Sequence, residues 1–166
     1  MKKLKIICLS FSLIFLEFFR DYTFVNINAQ LYYLNRVSEG YEIFNYTDSS
    51  ILYFIDSFSY SGLYKIKWLL TLVFFLFYLA NGLLLINIFF KKPNLALMKI
   101  YILSGILILF SGFLMYVIST FMNIENQYNF YSISLELSHF VQSSLYPISF
   151  LLIFYAHRKM KIDPKY

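Results

Sequence analysis

The chain has 166 residues, 60% of them hydrophobic and only 14% charged, with a mean hydropathy of +0.63. Soluble domains carry about 45–50% apolar and about 25% charged residues, so this composition excludes a disordered tail or an ordinary water-soluble enzyme and points to one domain in a bilayer. The single cysteine, Cys8, allows no internal disulfide and no cysteine-based zinc cluster, and the two histidines, His139 and His157, leave little for a transition metal.

The net charge of +5 is unevenly placed. Residues 21–64 hold five acids (Asp21, Glu39, Glu42, Asp48, Asp56) against one base, Arg36, while the remaining bases cluster beside apolar runs. That is the footprint of membrane orientation, not of a phosphate-binding face, so the expected partner is the lipid bilayer and no nucleic acid.

A hydrocarbon core about 30 Å thick takes about 20 mostly apolar residues of helix. The first run, Leu4–Phe19, contains Glu17. With Met1-Lys2-Lys3-Leu4-Lys5 before it, the stretch Ile6–Leu16 also fits a secretory signal peptide. The one small-residue cleavage candidate, near Asn28-Ala29, follows Glu17, Arg20 and Asp21 and has Ile27 in place of a small residue. A retained helix over about 4–20 is therefore expected. Cys8 does not sit in a lipoprotein setting, because Lys5 stands where a small or apolar residue is needed.

An acidic outer loop of roughly 44 residues, 21–64, follows. Asp48-Ser49-Ser50 offers capping side chains, and Ile51, Phe54, Ile55 and Phe58 fall at i, i+3, i+4 and i+7, which predicts a short amphipathic helix ended by Gly62. Tyr60, Tyr64 and Trp68 supply an aromatic belt. The sequon Asn45-Tyr46-Thr47 is too short a match to carry weight.

Trp68–Phe90 is a charge-free run of 23 residues and Ile100–Ile124 one of 25, giving spans over about 66–90 and 98–122. Asn81-Gly82 is the expected polar contact of the second span. Pro93, in the turn Lys91-Lys92-Pro93-Asn94, disfavours a helical residue before it. In the third span Ser104-Gly105, Ser111-Gly112 and Ser119 form a small-residue stripe, read as helix packing or as a docking face for a larger membrane protein. The fourth run, Phe140–Ala156, has 17 residues and reaches spanning length if extended back to Ser134, giving 134–156. The fold class is an all-α membrane protein, a four-helix transmembrane bundle forming a single integral domain.

Placing the N-terminus inside puts Lys2, Lys3, Lys5, Lys91, Lys92, Lys99, Arg158, Lys159, Lys161 and Lys165 in the cytosol, and only Arg20, Arg36, Lys65 and Lys67 outside. This positive-inside bias fits both termini in the cytoplasm of a bacterium, with the chain in the inner membrane.

The fourth span is the polar one. Glu136, His139, Ser143 and Tyr146 fall at i, i+3, i+7 and i+10 and would share a helical face, with Gln142 beside them and Pro147 beyond. One reading is a proton-handling or substrate-contacting site with Glu136 and His139 as the titrating pair. The other is a first-turn carboxylate near a Ser134 cap and a histidine that holds helices together. Glu17 and Arg20, at i, i+3, either pair locally and snorkel to the headgroups or join a network with the fourth span. Cys8, Arg20 and His139 are the residue types of a cysteine-protease-like site. However, Cys8 and Arg20 are about 18 Å apart along a helix, while a nucleophile and base must approach to about 3 Å. There is no phosphate-cradling loop, metal-ligand spacing or catalytic motif, and no broken or repeated helix of the transporter kind. No enzyme activity and no cofactor are expected.

Three stretches carry a resemblance: Phe19-Arg20-Asp21-Tyr22-Thr23-Phe24-Val25-Asn26-Ile27-Asn28 with Gln30-Leu31 beyond; Leu63-Tyr64-Lys65-Ile66-Lys67-Trp68; and Phe140-Val141-Gln142-Ser143-Ser144-Leu145-Tyr146-Pro147. Together these resemble the small accessory membrane proteins of bacterial exosortase systems, over about a third of the chain. Exosortases are polytopic enzymes thought to process sorting signals on exported proteins. The resemblance implies a larger polytopic partner of that type and no catalytic residue in this chain. The enzymes use Cys, Arg and His, an arrangement this chain lacks. The loop around Asn26–Tyr33 and the polar face of the fourth span are the expected contact surfaces, and a small proton-coupled transport component is the alternative. Reporter fusions in the 123–134 segment and after the last helix should report opposite sides of the membrane; the same side for both would overturn the four-crossing map.

Overall fold

The computed structural model describes residues 2–41, 52–90 and 95–162, and every regular element among them is helical. In chain order these are α1 (Lys2–Ser38), a single 3-10 turn (Tyr53–Ser57), α2 (Tyr60–Phe89), α3 (Leu95–Ser119), α4 (Ile124–Val141) and α5 (Leu145–Ile162). By length and composition α2 and α3 are able to cross a membrane, which marks a membrane protein; α4 and α5 qualify only as one bent pair, at 65°. Despite its 37 residues α1 is not among the candidate spans. Lys5, Glu17 and Arg20 crowd both ends of its apolar run.

Three expectations change. The stretch 21–38 is not loop: α1 runs through it without a glycine or proline to interrupt it. Thr23, Ile27, Gln30 and Leu31 fall on one face and are buried, and that burial holds the second half of the helix. The chain leaves α1 through a Schellman motif. Gly40, at φ 84°, bonds its N–H to the Val37 carbonyl, and the Tyr41 N–H reaches the Arg36 carbonyl, both at 3.1 Å.

Next, Gly62 does not end a helix but lies in the first turn of α2. Ser59 caps that turn, its Oγ accepting from the Gly62 N–H at 3.3 Å. The amphipathic segment is a 3-10 turn whose Leu52 and Ile55 are buried, while Phe54 and Phe58 face outward. The residues Asp48-Ser49-Ser50, Ile51, the sequon and the Lys91–Asn94 turn lie outside the described residues.

Finally, the fourth span is broken. α4 begins at Ile124, inside the segment expected to be an outer loop, and stops at Val141; α5 restarts at Leu145. Proline has no N–H and its ring clashes with the carbonyl four residues back, so Pro147 does not sit within a continuous 134–156 helix. In the first turn of α5 it is tolerated, because that N–H has no partner in any case.

The chain divides into two compact units, Phe15–Phe74 and Met1–Ile14 with Phe75–Tyr166. The first has a core of Ile27, Leu31, Leu52, Ile55 and Leu63. There Phe74 packs against Phe19 and Phe24 at centroid distances of 6.0 and 5.8 Å, and Lys67 Nζ donates to Asn28 Oδ1 at 2.8 Å. The second has a core of Phe75, Ile86, Phe90, Tyr101, Val141, Tyr146 and Phe154. Gly105, Gly112 and Ser119 are buried on one side of α3, so this side of the small-residue stripe is consumed by packing inside the chain. A Cβ on Gly112 would stand 3.3 Å from the Ser134 carbonyl and 3.5 Å from Leu137 Cβ, which measures how closely α3 and α4 approach.

Gly40→Ala would force an L-residue into the left-handed region at a cost of about 1–2 kcal/mol. Chemical unfolding in mild detergent should show a loss of that size, with Gly40→Asn recovering part of it; no loss would mean the motif contributes nothing to stability.

Candidate functional site

The polar groups of the second unit gather where α2, α3 and the start of α5 meet. The Tyr101 ring on α3 stacks on Tyr146 of α5 at 4.8 Å between centroids, and Phe150 closes the edge of both at 5.4 and 5.1 Å. Both tyrosines are fully buried. Away from water a hydroxyl needs a partner. The Tyr101 hydroxyl donates to the Tyr78 carbonyl on α2 at 3.2 Å. The Tyr146 hydroxyl donates to the Tyr101 carbonyl and lies 3.2 Å from Ser104 Oγ. Ser104 in turn donates to the Tyr101 carbonyl at 2.9 Å.

Glycines make room for these rings. A Cβ on Gly82 would collide with the Tyr101 hydroxyl, and one on Gly105 would fall 2.6 Å from the Tyr146 hydroxyl and 3.0 Å from Phe75. Elsewhere in the unit, Asn81 accepts from Ser12 Oγ of α1 at 3.2 Å and donates to the Phe77 carbonyl at 3.0 Å. Asn81 is thus the interhelical polar contact of α2 that its position implied.

The break before α5 disperses the face drawn through Glu136, His139, Ser143 and Tyr146. Glu136 and His139 lie on the exposed side of α4. Ser143 is buried in the break and donates to the Phe140 carbonyl at 2.9 Å. Gln142, also buried, folds its amide back on Ser138, Nε2 lying 2.9 Å from the carbonyl and 2.6 Å from Oγ. Tyr146 points into the core. The four residues therefore occupy three settings rather than one stripe.

In the other unit Arg20 is held between two carboxylates, 2.8 Å from Glu17 and 2.6 Å from Asp21. The local pair is present. Asp21, beside the arginine in sequence, is the third member of the cluster. Further along α1, the Arg36 guanidinium lies 5.4 Å from the Tyr32 ring centre and 5.1 Å from that of Tyr41, with Glu39 at 3.4 Å. The hydrogen bond that Arg36 Nε donates to the Tyr32 hydroxyl, aided by Glu39, holds the Arg36 pKa above its ordinary value. Cys8 is an exposed free thiol. Among the described residues no three His, Cys, Asp or Glu side chains come together as a metal site would.

No known protein family, characterised protein or solved structure matches the chain.

Helical spacing alone sets Tyr146 in a polar stripe and gives no sign of Tyr101. The signal was the pairing of Gly82 with a large ring one helix away, which only the register between helices reveals. Tyr146→Phe should cost about 1 kcal/mol, the usual net worth of a hydrogen bond. Gly105→Ala should cost less in that background than in the wild type, because the hydroxyl nearest the new methyl is gone. Strict additivity in a double-mutant cycle would overturn the fit described here.

Proposed function

We propose that this protein is a non-catalytic accessory or scaffold of a bacterial envelope machine, an exosortase-type protein-sorting system. In this reading the first half of α1 makes a fourth crossing beside α2, α3 and the bent α4–α5 pair. The lysine-rich ends then lie in the cytoplasm and the chain in the inner membrane. The resemblance over Phe19–Leu31 and Phe140–Pro147 supplies the class of partner, a larger polytopic enzyme.

The observation that carries the reading is an exposed stripe on α1. Phe18, Val25 and Tyr32 recur every seven residues along the part of α1 that lies in the first unit, and all are exposed. Apolar residues at such heptad spacing form the seam by which one helix lies along another. Val25 and Tyr32 lie beyond the charges of Glu17, Arg20 and Asp21, and in this reading a helix of the partner protein covers them. The polar groups inside the second unit support the same reading, since Tyr101, Tyr146 and Ser104 bond across α2, α3 and α5 and Asn81 bonds to Ser12 of α1.

The 65° break between α4 and α5 favours a second reading, because discontinuous helices line substrate paths in transporters. There Glu136 and His139, one turn apart on α4, handle protons.

A photo-crosslinker at Val25 or Tyr32 should capture an exosortase-type enzyme in native membranes, while one at Phe77, on α2, should capture lipid. Adducts with lipid alone, or only with a second copy of this chain, would count against the accessory role. Glu136→Gln and His139→Ala lie on an exposed face and should change stability by under about 0.5 kcal/mol. They should leave the capture unchanged, and abolition of proton flux in proteoliposomes by either would establish the transport reading instead.

A further inference from the structure

A groove of about 620 Å³ lies between the end of α2 and the last half of α5. Its walls are apolar: Phe90 on one side, and Leu151, Leu152 and Tyr155 on the other. At one end stand two cations, Arg158 and Lys159, and among the described residues no carboxylate contributes to the lining. The Arg158 guanidinium sits 5.9 Å over the Phe90 ring, which holds it at the rim. Leu152, Tyr155, Arg158 and Lys159 are all exposed, so the groove opens sideways along its length.

We propose that this groove is a binding site for an anionic phospholipid. The phosphate is held by Arg158 and Lys159, and an acyl chain lies along Leu151, Leu152 and Tyr155. The volume falls within the range of ligand sites, about 300–1,000 Å³. The amphipathic order of the lining, apolar along the helix and cationic at its end, matches a lipid in the surrounding leaflet. A free anion would leave the apolar wall uncovered, and a neutral lipid would leave two cations uncompensated. Because the cations occupy the C-terminal part of α5, where the helix dipole is negative, the attraction for phosphate comes from the side chains and not from the backbone. Basic pockets between membrane helices hold anionic headgroups elsewhere on the same principle. The inference needs only that α2 and the α4–α5 pair lie in a bilayer; it stands or falls apart from the partner enzyme, whose capture at Val25 or Tyr32 reads a different surface.

The full chain, purified and delipidated in neutral detergent, is titrated with phosphatidylglycerol and with phosphatidylcholine of the same acyl chains, and the bound lipid is counted by native mass spectrometry. Phosphatidylglycerol should bind in preference. Arg158→Gln with Lys159→Gln should weaken it roughly thirtyfold, each cation near an anionic headgroup contributing about a factor of five. Leu152→Trp, which fills the groove and leaves the charge intact, should weaken it as well. Lys3→Gln with Lys5→Gln, an equal change in net charge, should have no effect. Equal binding of the two lipids would overturn the proposal, as would equal losses in the Lys3/Lys5 control or displacement of the lipid by inorganic phosphate alone. If the Arg158/Lys159 variant does not fold, unchanged binding to Leu152→Trp overturns it just as well.

Discussion

The second unit is organised by two tyrosine rings seated against two glycines. Tyr101 fills the space that Gly82 leaves on α2, and Tyr146 fills the space that Gly105 leaves on α3. Each hydroxyl then bonds to a backbone carbonyl on a neighbouring helix. In hydrocarbon the hydrophobic effect gives little reason for one helix to prefer another to lipid, so close packing and internal hydrogen bonds must do it. One residue here supplies both, because the ring that fills the gap also carries the hydroxyl. Phe140, Phe150 and Phe154 complete the cluster around Tyr146.

The break at Gln142–Ser144 follows from the same arrangement. A straight helix from Ser134 to Ala156 would meet Pro147 in its interior and lose a hydrogen bond there. Restarting at Leu145 puts the proline in a first turn, and the polar side chains around the gap supply bonds of their own: Ser143 to Phe140, and Gln142 to Ser138. The residues that look functional in a helical projection are thus in part those that make an interruption tolerable. Glu136 and His139 remain on an outer face of α4, separated from Tyr146 by the change of direction.

How far the sequence could be read depended on what set each element. α2 and α3 were legible because long charge-free runs set them, and the observed bounds of α3 differ from the expected 98–122 by only three residues at each end. The second half of α1 was not, because its acids and its amides made it look like a loop. The buried spacing of Thr23, Ile27, Gln30 and Leu31 was present in the sequence, and so was the terminating Gly40. Pro147 was visible too, but a proline inside an apolar run is compatible with either a kink or a stop. The seat of Tyr101 on Gly82 could not be read at all; it depends on the relative register of two helices, which no pattern within one of them encodes.

The continuity of α1 has a mechanical meaning. Helices bend sharply at proline, at glycine or serine pairs, or where an extra residue loosens the ladder. Between Lys2 and Ser38 there is neither proline nor glycine, over a length of about 55 Å at 1.5 Å per residue. Within each half, bending is therefore left to the gentle curvature of any long helix.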